Sequence, residues 1–241
     1  MLQITSANKA IKLRKHKGFT LIEVAIVLVI VGLLLGGVLK GQELINAARV
    51  RSYASQLDGI KIAYLGFFDR YRAMPGDLPT AIANAQIIGS PGGCTGGTGC
   101  NNGKIDDDEI YVVWAQISHS GFIQPPYNGT ITDTAPTPAN NPNNPFGGYL
   151  HLMTDSRYDD LLDPAQPPLL NIKSGSQMTG AVLGEIDRKI DDGLPLTGVF
   201  RSYGHTATTA YDGVTDCTIA GTPVQWNGGS PVNTCGGTAI Q

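Results

Sequence analysis

Oxygen-bearing side chains are concentrated in the segment CNNGKIDDDEI, which runs from Cys100 to Ile110. Laid on a twelve-residue calcium loop, the segment places Gly103 at the sharp turn and Glu109 at the final bidentate position. The first two ligand positions fall on Thr98 and Cys100, which are poor donors for a hard cation. The pattern therefore predicts a partial calcium site and no other cofactor, with the candidate ligands Asn102, Asp106 and Glu109.

The same acidic run has a second interpretation as the start of a helix. A helix N-terminus favours carboxylates, and the segment through Trp114 and Ile117 is predicted to be helical up to Gly121. Lys104 also adds a positive charge that would compete with a bound cation. Calcium ligation and a helix start both remain compatible with these residues.

The four cysteines fall into two locally spaced pairs, Cys94 with Cys100 and Cys217 with Cys235. Four cysteines allow three pairings, and short sequence separation favours these two as disulfides if this part of the chain is exported. Neither pair has C-x-x-C spacing, and the histidines show no ligand pattern, so a zinc site is not predicted.

The motifs of common enzymes are missing from the sequence. It contains no G-x-S-x-G, no phosphate-binding loop and no H-E-x-x-H. Tyr211, Asp212 and Asp216 near His205 are explained by ordinary polar loops. We therefore predict a protein that is not an enzyme and that has no catalytic residues.

Another carboxylate, Glu23, lies near the start of an apolar run that extends to Leu39. The run is about twenty residues long, or roughly 30 Å of helix, which is enough to span a bilayer. A carboxylate at mid-bilayer costs about 2.5 to 3.5 kcal/mol, and less near the interface, so Glu23 calls for a partner. A secretory signal peptide is the alternative, but the run is too long and has no A-x-A site.

Charge is distributed unevenly along the chain. The formal net charge of −3 becomes −8 without residues 1–18, which hold five basic residues and no acid. Basic residues before a membrane span belong on the cytoplasmic side, which places the remainder of the chain outside the cytoplasm. An acidic body also argues against binding nucleic acid through a broad basic surface.

The stretch Gly18–Phe19–Thr20–Leu21–Ile22–Glu23, after a basic leader and before an apolar helix, resembles the processing motif of type IV pilins and type II secretion pseudopilins. The resemblance implies that a prepilin peptidase cuts between Gly18 and Phe19 and methylates the new N-terminus. It also implies a partner for Glu23, because an α-amine is mostly cationic at pH 7 and the N-terminus of a neighbouring subunit can neutralise the carboxylate. Many type IV pilins have a proline near the end of this run, where this chain has glycines and Lys40.

The apolar residues beyond Lys40 continue at helical spacing, notably Leu57, Ile60, Tyr64, Phe67 or Phe68, and Tyr71. We predict one helix to about Ala73, because all 15 prolines lie at or beyond Pro75. A soluble coiled-coil arm is disfavoured, since the early run lacks a heptad with charged flanks. The predicted regions are a leader at 1–18, a membrane and assembly half-helix at 19–39, an amphipathic half-helix at 40–74, and an exported globular head at 75–241.

The head is predicted to be loop-rich α+β with a small antiparallel sheet, packed on the long helix. Strands are expected at Tyr149–Thr154 and Leu196–Tyr203, and a helix at Gln177–Asp191. Thr132–Gly147 is too polar and proline-rich for the core and is predicted to be an exposed loop. The run EIDRKIDDG, from Glu185 to Gly193, is interpreted as a helix end in preference to a binding site.

These features predict a structural subunit of a type IV pilus or type II secretion pseudopilus, anchored in the inner membrane before it enters a filament. The implied partners are prepilin peptidase, other pilin or pseudopilin subunits, the inner-membrane assembly machinery and membrane lipid. The alternative is a minor tip subunit whose head binds a surface, DNA or a secreted substrate.

Overall fold

The computed structural model describes residues 18–90, 92–95, 99–156, 158, 167–202, 217–219, 221–231 and 235–241. The predicted leader therefore lies outside the described residues, except for Gly18. The chain divides into two compact units, Met1–Ile45 and Asn46–Gln241. The second unit thus includes the last part of the long helix as well as the head.

Helix α1 spans Leu21–Tyr71, and its two ends have local causes. At the start, the Thr20 hydroxyl accepts a hydrogen bond from the backbone N–H of Glu23 (3.3 Å), as a helix-capping residue does. At the end, Arg72 adopts a φ of 55°, which a right-handed helix cannot contain. The helix therefore ends two residues before the predicted Ala73, and Pro75 follows.

In the second unit, α1 buries one face. The predicted residues Leu57, Ile60, Tyr64 and Phe67 are buried, whereas Tyr71 is only half-buried. The buried residues of this face recur at helical spacing: Val50, Tyr53, Leu57, Ile60, Ala63, Tyr64 and Phe67. Phe67 is fully buried, whereas Phe68 is 40% exposed, so Phe67 is the core residue of the two. The same core contains Trp114, Leu152, Ile172 and Phe200 from the head.

The head has a four-stranded antiparallel sheet in the order β1, β2, β6, β3. Its strands are β1 (His151–Asp155), β2 (Leu169–Lys173), β3 (Phe200–Ser202) and β6 (Gly237–Ile240), and a separate pair is formed by β4 (Thr218–Ile219) and β5 (Gln225–Trp226). The predicted α+β class and small antiparallel sheet are confirmed. The expected strand at Leu196–Tyr203 is shorter than predicted, and Tyr203 lies outside the described residues.

Among its described residues, the second unit has three further helices: α2 (Thr80–Gln86), α3 (Val112–His119) and α4 (Gly180–Ile190). Helix α4 confirms the helix predicted at Gln177–Asp191, with Thr179 as its N-cap: the side chain accepts from the N–H of Val182. Helix α2 and the strands β2, β4, β5 and β6 were not predicted. All five are short, so their patterns stand out little from the surrounding loops.

The segment Thr132–Gly147 contains no helix or strand, but the prediction that it is exposed is wrong at its end. Asn140, Asn141 and Asn144 are each no more than 5% exposed. Their amide nitrogens donate to backbone carbonyls: Asn141 Nδ2 to that of Leu150 (2.7 Å) and Asn144 Nδ2 to that of Ser174 (2.6 Å), while Asn141 Oδ1 has no partner among the described residues. These polar side chains can be buried because each exchanges a hydrogen bond to water for one to a backbone carbonyl.

Candidate functional site

The first described residues form a short non-helical lead into α1. Phe19 is 82% exposed, and Glu23 lies exposed in the first turn of the helix. The Glu23 carboxylate has no ion pair with any residue that the structure describes. Phe19 and Glu23 are therefore both accessible to a neighbouring molecule.

The apolar side chains that follow Glu23 are uncovered. In the described part of the chain, α1 is the one helix long and apolar enough to cross a membrane, and no residue of its most apolar stretch is buried. A Cβ added at Gly32 or Gly36 would meet nothing within 4 Å. This surface needs lipid or other protein to cover it, since about 25 cal/mol is lost for each Å² of apolar surface left in water.

A family model of the prokaryotic N-terminal methylation motif matches residues 13–39, which include Gly18, Phe19 and Glu23. The chain carries the hallmark motif of type IV pilins and pseudopilins. No curated protein and no solved structure matches the chain significantly. A pilin-type motif indicates a structural protein rather than an enzyme, and it implies processing by prepilin peptidase and assembly with other pilin subunits.

Two disulfides fasten the head at the start of two helices. Cys94 joins Cys100 and Cys217 joins Cys235, the pairings that sequence separation favours. The Cys94 carbonyl accepts from the N–H of Thr80, the first residue of α2. The N–H of Cys235 donates to the carbonyl of Met178, just before α4. Each cross-link thus holds a loop against a helix N-terminus.

The predicted calcium ligands lie in one turn, where they are hydrogen-bonded to one another. Asn102 Nδ2 donates to Asp106 Oδ2 (2.7 Å), and the N–H of Asp106 donates to Glu109 Oε2 (3.0 Å). Cys100 has no thiolate to offer because it belongs to a disulfide, and Thr98 lies outside the described residues. The helix interpretation expected these acids at the start of α3. They precede that helix instead, and its first turn contains no acidic residue. Calcium binding stays a prediction.

Asp77, from MPGD, organises this turn, a role that sequence reasoning missed. Its two carboxylate oxygens accept from the N–H groups of Asn102 (3.0 Å) and Gly103 (2.8 Å). Single ligand atoms of Asp77, Cys94 and Glu109 lie within 4.8 Å of one another. The Cys94 sulfur is in a disulfide, and both Asp77 oxygens accept hydrogen bonds from backbone N–H groups. We therefore interpret these residues as holding the turn in its conformation and not as a metal site.

Glu109 is the unusual carboxyl of this group. It is 1% exposed, and its Oε1 has no hydrogen-bond partner among the described residues. Burial raises the pKa of Glu109 to about 8, and the charges of Asp77, Asp108 and Asp106 raise it too, against the lowering effect of the Asp106 N–H. Glu109 is therefore mostly protonated at neutral pH, whereas a calcium ligand has to be ionised.

The acidic end of EIDRKIDDG shapes the loop after α4. Asp191 Oδ2 accepts from the N–H groups of Val199 and Phe200 (2.9 Å for Phe200). Asp187, which is fully buried, accepts from Trp226 Nε1 (2.6 Å) and from the N–H of Gly193 (3.1 Å). These contacts agree with the interpretation as a helix end.

Asp187 and Asp191 are linked by a hydrogen bond, and their pKa values are shifted in opposite directions. Burial and then the hydrogen bond to Asp191 raise the pKa of Asp187 to about 8, although the indole of Trp226 lowers it. Burial also acts to raise the pKa of Asp191, but the hydrogen bond from Asp187 and three backbone N–H groups outweigh it and leave the value below normal. Asp187 is therefore the protonated partner and Asp191 the ionised one.

One face of the sheet carries a buried polar group that sequence reasoning also missed. Lys173 Nζ donates to Asp155 Oδ1 (3.0 Å), and Asn171 Nδ2 donates to the same oxygen (2.9 Å). Burial and then the charge of Lys173 lower the pKa of His151, opposite Lys173 in the register, to about 4. The available signal was the alternation of Asn171 and Lys173 with apolar residues in LLNIK.

Proposed function

We propose that this chain is a structural subunit of a type IV pilus or type II secretion pseudopilus. It is made as a prepilin, cut between Gly18 and Phe19 by prepilin peptidase, methylated at Phe19, and held in the inner membrane by α1 until it polymerises. The observation that carries the proposal is the methylation motif at residues 13–39, which includes the start of α1, where the apolar side chains are exposed.

Glu23 has a physical role in this proposal. Cleavage at Gly18 frees an amine at Phe19, which is cationic at neutral pH. In an apolar filament interior, an unpaired carboxylate and an unpaired amine are both costly, and bringing them together between neighbouring subunits removes both costs. In the proposed filament, the amine of one subunit neutralises Glu23 of its neighbour, so both charges are paired only on assembly.

Processing is tested by intact mass and N-terminal analysis of the protein from cells that contain a prepilin peptidase. We expect a chain that begins at methylated Phe19. A chain that still begins at Met1 would refute the proposal, and a chain cut elsewhere would refute the assignment of Gly18 and Phe19.

Assembly is tested by Glu23→Ala, which we expect to insert in the membrane normally and to be processed, but to be lost from filaments sheared off the cells. Glu43→Ala is the matched control: it removes an exposed glutamate from the same helix, beyond the apolar run and already paired with Lys40 (2.7 Å). Normal filaments from Glu23→Ala would contradict the charge pairing. Equal loss from Glu43→Ala would show that the effect is not specific to the apolar run.

A further inference from the structure

A groove in the second unit gathers positive charge on an otherwise acidic chain. It is an open cavity of about 520 Å³ lined by α1, the end of α4, the residue before β3 and the end of β6. Its lining includes Arg51, Lys61 and Lys189, and we call it the cationic groove. The single acidic side chain of the lining is Asp58, whereas the chain without residues 1–18 has a formal charge of −8. The groove therefore departs in sign from the rest of the exported part.

The three cations of the groove are exposed and spread along its length. None of them forms an ion pair with a residue that the structure describes. Arg51 and Lys61 lie on α1, about 15 Å apart along the helix axis, and Lys189 contributes from the last turn of α4. An elongated ligand with several negative charges fits this distribution better than a small anion with one charge does.

The cationic groove also has apolar walls that are held in place. Leu57 and Ala239 are buried, while Val199 is 50% exposed. The carbonyl of Val199 accepts from the N–H of Ile240 (2.7 Å), and its N–H donates to Asp191. A ligand that carries apolar groups can cover Val199 without reordering the groove, and both effects favour binding.

The residue types of the lining distinguish between classes of polyanion. Among the described residues that line the groove, none is aromatic, so it offers no ring on which the bases of a nucleic acid can stack. An acidic polysaccharide is rich in hydroxyl groups and has little apolar surface to place against Val199. An acidic polypeptide segment supplies carboxylates and apolar side chains together, and about five extended residues cover the roughly 15 Å between Arg51 and Lys61.

We propose that the cationic groove is a binding site for an acidic polypeptide segment of a partner protein, with apolar side chains among its carboxylates. The carboxylates pair with Arg51, Lys61 and Lys189, and an apolar side chain of the segment covers Val199. This binding activity goes beyond filament assembly and does not rest on it, because one copy of the second unit supplies the whole groove.

Fluorescence anisotropy with the purified full-length chain in detergent micelles tests the site. The first probe is a labelled peptide of glutamate and leucine, and the second has serine in place of each leucine. We expect wild type to bind the glutamate–leucine peptide more tightly than the glutamate–serine peptide, and to bind both more weakly as the salt concentration rises. Val199→Ser should weaken binding of the first probe and leave binding of the second unchanged.

Charge reversal tests the cations of the groove. Arg51→Glu with Lys189→Glu should weaken binding of the glutamate–leucine peptide at least about tenfold, since two attractive contacts become repulsive. Arg49→Glu with Arg188→Glu is the matched control: it changes the net charge equally at two exposed neighbours that do not line the groove. This control should bind nearly as tightly as wild type. Lys61→Glu is an independent exposed variant that should also weaken binding.

Unchanged tryptophan fluorescence shows that each variant is folded, because Trp114 and Trp226 are buried in the second unit. No binding of the acidic peptide by wild type, or equal loss in the groove variant and its matched control, would overturn the site. Tighter binding of an alginate oligomer or of a single-stranded thymidine oligonucleotide than of the peptide would overturn the assignment to a polypeptide. The filament function is decided separately, by processing and assembly of the wild-type chain in cells.

Discussion

Replacing Glu109 with glutamine is expected to remove a large part of the pH dependence of stability. Glutamine keeps the size of the side chain and an oxygen that can accept from the N–H of Asp106, but it cannot ionise. The wild-type carboxyl is 1% exposed and has three aspartates close to it, so the folded protein retains its proton up to a pKa of about 8.

The sign and size of the effect follow from that pKa. The ordinary value for this group is 4.5, so between pH 4.5 and 8 the folded state binds one more proton than the unfolded state. The free energy of unfolding then falls as the pH rises, by about 1.4 kcal/mol per pH unit. Between pH 5 and pH 7, Glu109→Gln should therefore gain about 3 kcal/mol relative to wild type.

Urea unfolding of the full chain in detergent micelles measures this difference. Both tryptophans of the sequence, Trp114 and Trp226, are buried in the second unit, so their fluorescence reports its unfolding. Gln86→Ala, which replaces an exposed uncharged side chain, is the control and should leave the pH profile parallel to wild type. Parallel profiles for Glu109→Gln and wild type would refute the reasoning, because Glu109 would then be ionised in the folded protein.

Four other outcomes can be measured on the same preparation. Asp187→Asn should also stabilise the protein relative to wild type as the pH rises from 4 towards 8, since the pKa of Asp187 is raised to about 8; a profile unchanged by the substitution would contradict this. His151→Gln should reduce the loss of stability in acid between pH 6.5 and 4, because the folded-state pKa of His151 is lowered to about 4 and the unfolded state takes up the proton first; an acid limb equal to that of wild type would oppose it. Replacing Cys217 and Cys235 together with serine should cost about 3 kcal/mol of unfolding free energy, as expected for a cross-link across a separation of 18 residues; a cost near zero would mean that the loop is held by its other contacts. If calcium binds the turn at Asp106, adding calcium after chelation should raise the melting temperature, and an unchanged melting curve would retire that site.

Long periodic segments were predictable from the sequence, whereas only some of the short ones were: strands overlapping β1 and β3 were predicted, but β2, β4, β5 and β6 were not. The apolar run and the buried face of α1 repeat over many turns, so their pattern indicates both the helix and the face that it buries. Strand β6 has four residues, GTAI, with little alternation of their own. Its place between β2 and β3 depends on partners far away in the sequence, and such partners leave no local signal.

The roles of the acidic residues were predictable only in part. The Asp and Gly at the end of α4 indicated a helix end, and Asp191 does hold the loop that follows. Nothing in EIDRKIDDG indicated that Asp187 would bind the indole of Trp226, 39 residues away. Likewise, the spacing in the segment from Cys100 to Ile110 suggested ligands, but the burial of Glu109 depends on how that turn packs.

The sequence by itself determined the pilin-type N-terminus, because Gly18, Phe19, Glu23 and the apolar run act through local order and composition. It also determined the α+β class, which depends on periodicity, and the two cysteine pairs, which depend on short separations. Only the tertiary structure decided which carboxyls keep a proton and which cations meet in a groove. Charge and solvation depend on distance in space, and the fold alone brings Arg51 and Lys189 to one cavity and leaves Glu109 without water.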